Sequence, residues 1–256
     1  MEVLFLVLGA VVAAGVFFYN HWRKQKLDEA WRTMLKRDGL TATYTPCGRS
    51  SVELILFRAL PQGDRNYGVE HAATGPVEIS LGEQRVTAEC AAFVWWWEVR
   101  QQSTDAKGHT STRYAKRTEV VGMLQVPYQL PSVSIAPESL LAKLGIGGRG
   151  DFQVESERFN SRFDVRVSEP ELGIRLLDPS FQRFLLEMFD GRQIELAFDS
   201  ILVAGDPAGE DASLFGEVKE LPGARRDVQL VASRIPASFW RALRHDGRDA
   251  GGETDR

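Results

Sequence analysis

The sequence predicts an α+β protein, with an amino-terminal transmembrane helix followed by a mostly antiparallel β-sheet domain with packed helices. Three observations carry this expectation. Val3 to Tyr19 (VLFLVLGAVVAAGVFFY) contains no charged side chain. Arg85 to Arg100 and Arg113 to Val126 read as two long strands joined by a wholly polar stretch, Gln101 to Thr112. Between Ser168 and Met188, helix-start residues precede apolar side chains at helical spacing.

The apolar run is 17 residues long. At the α-helical rise it covers about 25 Å, the short end of what crosses a bilayer's hydrocarbon core. A cleaved signal peptide fits less well. The residue before the run is Glu2 rather than a basic one, and the small Ala13, Ala14 and Gly15 are followed by bulky Val16, Phe17, Phe18 and Tyr19. Lysine and arginine stay on the cytoplasmic side of a membrane. They are absent before the run, whereas Arg23, Lys24, Lys26, Arg32, Lys36 and Arg37 follow it. The expected topology is therefore single-pass in the cytoplasmic membrane, with the amino terminus outside and the body in the cytoplasm. Tyr19, Trp22, Arg23, Lys24 and Lys26 are the expected membrane-interface residues, and the bilayer is the first expected partner. Gly9 with Ala13, and Ala10 with Ala14, have the small-xxx-small spacing that lets two such helices approach, so a homo-oligomer is a candidate assembly.

The chain is 43% apolar and 26% charged, ordinary for a globular protein, and about 200 residues beyond the anchor suffice for a core. Its net charge of −4 gives no general basic field for nucleic acid, and the dense basic cluster is the one beside the anchor. Cys47 and Cys90 have no metal-type spacing and should be reduced in the cytoplasm. His21, His71, His109 and His245 are scattered, so no metal and no cofactor are expected.

The expected organisation is an anchor over 1–20, a juxtamembrane helix over 21–39, the α+β domain over 40–205, a helical extension over 206–245 and a disordered tail over 246–256. The juxtamembrane helix carries Leu27, Trp31, Met34 and Leu35 on a narrow stripe that suits docking on the domain or lying on lipid. Ser51 to Leu60 reads as a strand buried on two sides, and Val69 to Ala73 and Val77 to Leu81 as short strands broken at Gly75 and Pro76. In Arg85 to Arg100, period 2 places Trp95 and Trp97 on one face and Trp96 on the other, so the tryptophans serve packing in a central strand. Pro127 to Pro137 reads as an extended crossing, Glu138 to Leu144 as a helix, and Gly145 to Gly150 as a turn without phosphate-loop features. Phe159 and Phe163 should bury together while Asn160 bridges the chain into a strand over 164–167. Ser168 and Glu171 suggest a capping box and Asp178 an N-cap. Ile194 to Phe198 and Ile201 to Ala204 suggest a hairpin, and 213–220, 225–232 and 236–244 three short helices.

The block ESERFNSRF (155–163), the stretch LLDPSFQRFLLEMF (176–189) and the earlier YGVEHAATGPVEIS (67–80) resemble an uncharacterised, mainly actinobacterial family of single-pass membrane-anchored proteins carrying an ESE-x-FN-x-x-F motif. The resemblance covers roughly residues 50 to 205. It implies a shared fold and a membrane setting, and transfers no activity to any residue.

Glu155 and Glu157 are the catalytic candidates, because paired carboxylates perform acid/base work; a Glu near a helix start equally serves the helix dipole. Cys90 with His71 is a weaker thiol–base pair, since an apolar strand raises a thiol's pKa. The expected function is a membrane-tethered, non-catalytic protein-interaction or scaffolding module at the inner leaflet. The alternative is a membrane-associated hydrolase or transferase using acidic residues.

Overall fold

The computed structural model describes residues 14–15, 17–19, 21–22, 25–26, 28–33, 35–37, 39–104, 108–138, 152–189, 191–205 and 214–247, with backbone alone over 214–219. Most of the expected anchor lies outside these residues, as do Gly9, Ala10, Ala13, Arg23, Lys24, the 139–151 helix and glycine segment, and the 248–256 tail. Among the described residues, no helix is long and apolar enough to cross a membrane.

The architecture is α+β, built on a six-stranded antiparallel sheet. Its strands are β1 (Thr41–Thr43), β2 (Tyr67–Leu81), β3 (Gln84–Thr104), β4 (Thr110–Pro137), β5 (Phe163–Val167) and β6 (Gln193–Ala204). The hub is β4. Its first half pairs with β3, its last residues pair with β5, and β6 follows the opposite edge. Short helices α1 (Ser51–Leu54), α2 (Glu157–Asn160) and α3 (Pro170–Leu176) join the longer α4 (Pro179–Met188), α5 (Leu214–Arg234) and α6 (Ala237–His245).

The β3–β4 hairpin follows from its alternation, and β3 is covered on both faces as expected. Ala88, Cys90, Ala92 and Val94 face the helices, while Ala91, Phe93, Trp95 and Trp97 face residues 46–60. Gly122 on β4 lets α5 lie directly on the sheet, because a Cβ there would come within 2.2 Å of the Ala224 carbonyl oxygen. Phe239, Trp240 and Leu243 of α6 and Phe181 and Leu185 of α4 complete that side.

Several elements differ from the sequence expectation, each for a physical reason. Ser51 to Leu60 is not a strand. Ser50 and Glu53 form a reciprocal capping box that starts α1, and the buried positions Leu54, Phe57 and Leu60 recur every three residues rather than every two. Tyr67 to Leu81 is one strand, since Gly75 and Pro76 stay in register with Cys90 and Glu89. The interruption is instead a bulge between Glu70 and Ala73, where His71 takes φ 47°. One extra residue there switches the faces, so Val69 points to the 46–60 side and Ala73 to the helices. The proline crossing 127–137 belongs to β4, whose irregular register against β6 absorbs the bend. No hairpin forms over 194–204. β6 is continuous, kinked at Phe198 with φ 58°. The Ser168–Glu171 capping box is absent: Ser168 Oγ accepts from Ser132 N, and α3 starts at Pro170 without a side-chain cap. Residues 213–232 are not two helices, because α5 runs through Pro222. On α4 the apolar Met188 is 58% exposed, while the polar Gln182 is buried.

Candidate functional site

The described residues between 14 and 37 are helical. Two groups of these residues are treated differently by the fold. Phe17, Phe18, Tyr19 and Trp22 are all exposed by more than half. Trp31 and Leu35, one turn apart, pack with Leu40 on Ala73, Ala92, Val94, Val120, Leu221 and Ala224. The Trp31 ring meets His71 edge-on, with centroids 5.8 Å apart. The bulge explains this contact, because His71 sits at the residue that breaks the register of β2. Gly75 lets Leu40 sit close to the strand: a Cβ there would lie 2.8 Å from Leu40 Cδ2. Of the two expected roles for the juxtamembrane stripe, docking on the domain describes Trp31 and Leu35. The expected interface residues Tyr19, Trp22 and Lys26 are exposed, and Lys26 also pairs with Glu29 at 2.9 Å.

The acidic block folds as a capped turn. Ser156 Oγ accepts from Phe159 N, and Glu157 occupies the first turn of α2. Phe159 and Phe163 are buried with ring centroids 4.9 Å apart, although Phe163 already belongs to β5. Asn160 makes the expected bridge: its Nδ2 donates to Val154 O at 2.7 Å, and its Oδ1 accepts from Val154 N at 3.2 Å. The segment 152–156 forms one wall of a cleft of about 650 Å³, whose other wall is Ile174 and the α3–α4 corner. Glu155 lines this cleft and Glu157 does not. Asp178 on the far wall is engaged as a helix cap, accepting from Phe181 N and Ser180 Oγ. The cleft is thus partly apolar, through Phe152, Val154 and the 67% exposed Ile174, with an exposed carboxylate at its edge. A second cleft of about 670 Å³ between α3 and α6 carries Glu169, Glu171, Arg175, Arg241 and His245.

The thiol–base pair is not assembled. Cys90 faces α5, with Sγ 3.6 Å from Gln229 Nε2, while His71 contacts Trp31. Burial pushes both the Cys47 and Cys90 thiols up, which keeps them protonated and unreactive. Both cysteines are free. Among the described residues, no group of three or more His, Cys, Asp or Glu is placed to hold a metal ion.

Two polar groups went unnoticed in the sequence. Glu195 is 2% exposed, and its Oε2 accepts from Ala59 N at 2.7 Å. Burial raises its pKa above the usual glutamate range, against the N–H bonds of Ala59 and Arg58. Asp199 gathers Gln125 Nε2, Ser200 Oγ and the Arg49 guanidinium, which lies over the rings of Phe57 and Phe198. Burial raises this carboxyl, but those hydrogen bonds outweigh it and the pKa falls below the usual aspartate range. Both groups hold residues 46–60 on the sheet. No spacing signal reveals them, because the partners are 136 and 150 residues apart.

No protein-family profile, no curated protein and no solved structure matches the chain.

Proposed function

We propose that the protein is a membrane-tethered module at the inner leaflet whose α+β body recognises a protein partner without catalysing a reaction. The observation that carries this reading is the division among the amino-terminal helical residues. The exposed Phe17, Phe18, Tyr19 and Trp22 suit the lipid boundary, and later in the chain Trp31 and Leu35 are packed on the sheet. A domain docked to its own anchor is held at the membrane surface instead of swinging on a linker. The basic flank, from Arg23 to Arg37, supports the inward orientation. The partly apolar cleft beside Glu155 is the recognition surface we assign to the partner, since exposed Ile174 and half-buried Phe152 and Val154 offer apolar area beside a charged rim. The resemblance to single-pass, membrane-anchored bacterial proteins agrees with the tether.

The test is fractionation of the full chain in bacterial cells, with a reporter at its carboxyl terminus that is active only in the cytoplasm. Retention in carbonate-washed membranes with an active reporter is expected. A chain released by carbonate, or a reporter active only outside, would end this reading.

The enzyme alternative has one specific observation in its favour, the position of Glu155 in the cleft. Replacing both candidates, Glu155→Gln and Glu157→Gln, separates the two. The interaction reading expects normal folding, with any lost phenotype matched by a loss of partner capture at the Glu155 cleft. Loss of the phenotype with intact folding, membrane retention and undiminished partner capture favours catalysis.

A further inference from the structure

The β3–β4 hairpin is the second basic feature of the chain, one that its interleaved sequence conceals. Between Val99 and Thr118 stand Arg100, Lys107, Arg113, Lys116 and Arg117 against one acid, Asp105, in a protein of net charge −4. The strand pairing brings Arg100, Arg113, Lys116 and Arg117 together beside Glu98, and Lys116 pairs with Glu70 at 2.8 Å. Gln101 faces Arg113, Arg100 faces Tyr114, and Trp97 faces Arg117. Arg100 and Arg113 are exposed, Tyr114 is 43% exposed, and Arg65 lies over the Tyr114 ring at 5.2 Å.

The direction of the hairpin is set by the helix contacts. Leu40 lies at Gly75 and Trp31 at His71, so moving toward the start of the helix is moving along β2 toward Tyr67. Tyr67 pairs with Trp97, beyond which β3 and β4 continue as the hairpin, beside the loop that carries Asp64 and Arg65. Helix and hairpin therefore leave the domain at the same end.

We propose that this hairpin is a second membrane contact, which lays its basic arms on the anionic phospholipid headgroups of the leaflet that holds the anchor. The inference rests on the membrane reading above. Charge complementarity selects the lipid: each Lys or Arg near an anionic surface contributes about 1 kcal/mol. Tyr114 is suited to the headgroup layer. The hydroxyl-rich strand ends, Ser103 and Thr104 opposite Ser111 and Thr110, are too polar for hydrocarbon, so the hairpin rests on the surface instead of entering it.

The test uses the full chain carrying Gln102→Cys, labelled with an environment-sensitive fluorophore. Cys47 and Cys90 are buried, so the new thiol is labelled selectively. The protein is reconstituted into vesicles of phosphatidylcholine alone and of phosphatidylcholine with phosphatidylglycerol. Emission is expected to be at least about twofold higher with phosphatidylglycerol, to fall at high salt, and to lose the difference in the Arg100→Glu, Arg113→Glu double variant. Equal emission in both lipids, with the protein still floating with the vesicles, overturns the hairpin contact and leaves the tether standing. A protein that floats with neither lipid overturns both. A response to single-stranded RNA and not to phosphatidylglycerol reassigns the hairpin and also overturns the proposal.

Discussion

On one face of the sheet, α4, α5 and α6 supply whole apolar surfaces: Phe181 and Leu185, Val228 and Val231, Phe239 and Trp240. On the other face, among the described residues, the cover is the irregular segment 46–60, with a 3-10 turn at Pro46–Gly48 that holds Cys47 at φ 48° and one short α-helical turn. The helices satisfy their own backbone, so they bury little besides hydrocarbon. The irregular segment cannot do so. Its N–H and C=O groups are met by side chains from the sheet: Glu195 accepts from Ala59 N, and a few residues on Trp95 Nε1 donates to Pro61 O. Asp199 holds Arg49 from below. Buried polar residues thus collect under the irregular cover because unpaired backbone groups are costly there.

The largest effect expected from this difference is on the helical face, where contact is steric. Gly122→Val drives side-chain atoms into the Ala224 carbonyl, and thermal or denaturant melts should show a loss of about 3 kcal/mol or more. A melt close to that of the parent would mean that α5 does not depend on this close approach.

On the irregular face the decisive contacts are polar. Glu195→Ala leaves N–H groups of the 58–59 loop unpaired and should cost about 2 kcal/mol in denaturant melts. Glu195→Gln sharpens the comparison, because it keeps an acceptor and removes the charge. An acid raised by burial stabilises the fold most below its unfolded value near 4.5 and loses that contribution as pH climbs through its higher folded value. The Gln variant should therefore gain on the parent as pH rises from 4.5 toward neutrality, and parallel pH profiles would contradict this.

Asp199 carries the opposite sign. Its lowered pKa adds stability that is present above the unfolded value of 3.8 and is lost as pH falls through the folded value. Asp199→Asn should cost about 1.5 kcal/mol at neutral pH and remove that acid-side loss, which melts across the acid range would measure.

The smallest expected effects are at the two N-caps, one on each face. Ser50→Ala and Asp178→Ala should each cost about 1 kcal/mol. A much larger cost at Ser50 would show that the irregular cover relies on its single helical turn.

Elements with a local cause were legible in the chain. The β3–β4 pair, the three-tryptophan alternation, the Asp178 cap, the Asn160 bridge and the burial of Phe159 with Phe163 all follow from neighbours within a few residues. Errors arose where local signals were ambiguous or overridden. SVELILFRAL holds strand-like residues, yet Ser50 and Glu53 nucleate a turn. Gly75 and Pro76 look like breakers, but one makes room for Leu40 and the other stays in the ladder. Of the candidate site, Glu155 and Glu157 were visible as an acidic pair, while only the α2 turn placed one in a cleft and the other outside it.

The sequence by itself determined the α+β composition, the apolar amino-terminal run with its basic flank, and the period of the β3–β4 strands and of α4, because these depend on residue order alone. Tertiary structure decided the rest. It chose which face of β2 meets the helices, through one extra residue at the bulge. It docked Trp31 on His71 and brought Glu195 and Asp199 to chain segments far away in sequence. Contact across 40 to 150 positions is invisible to local pattern, since its driving force is burial that exists only once the sheet has closed.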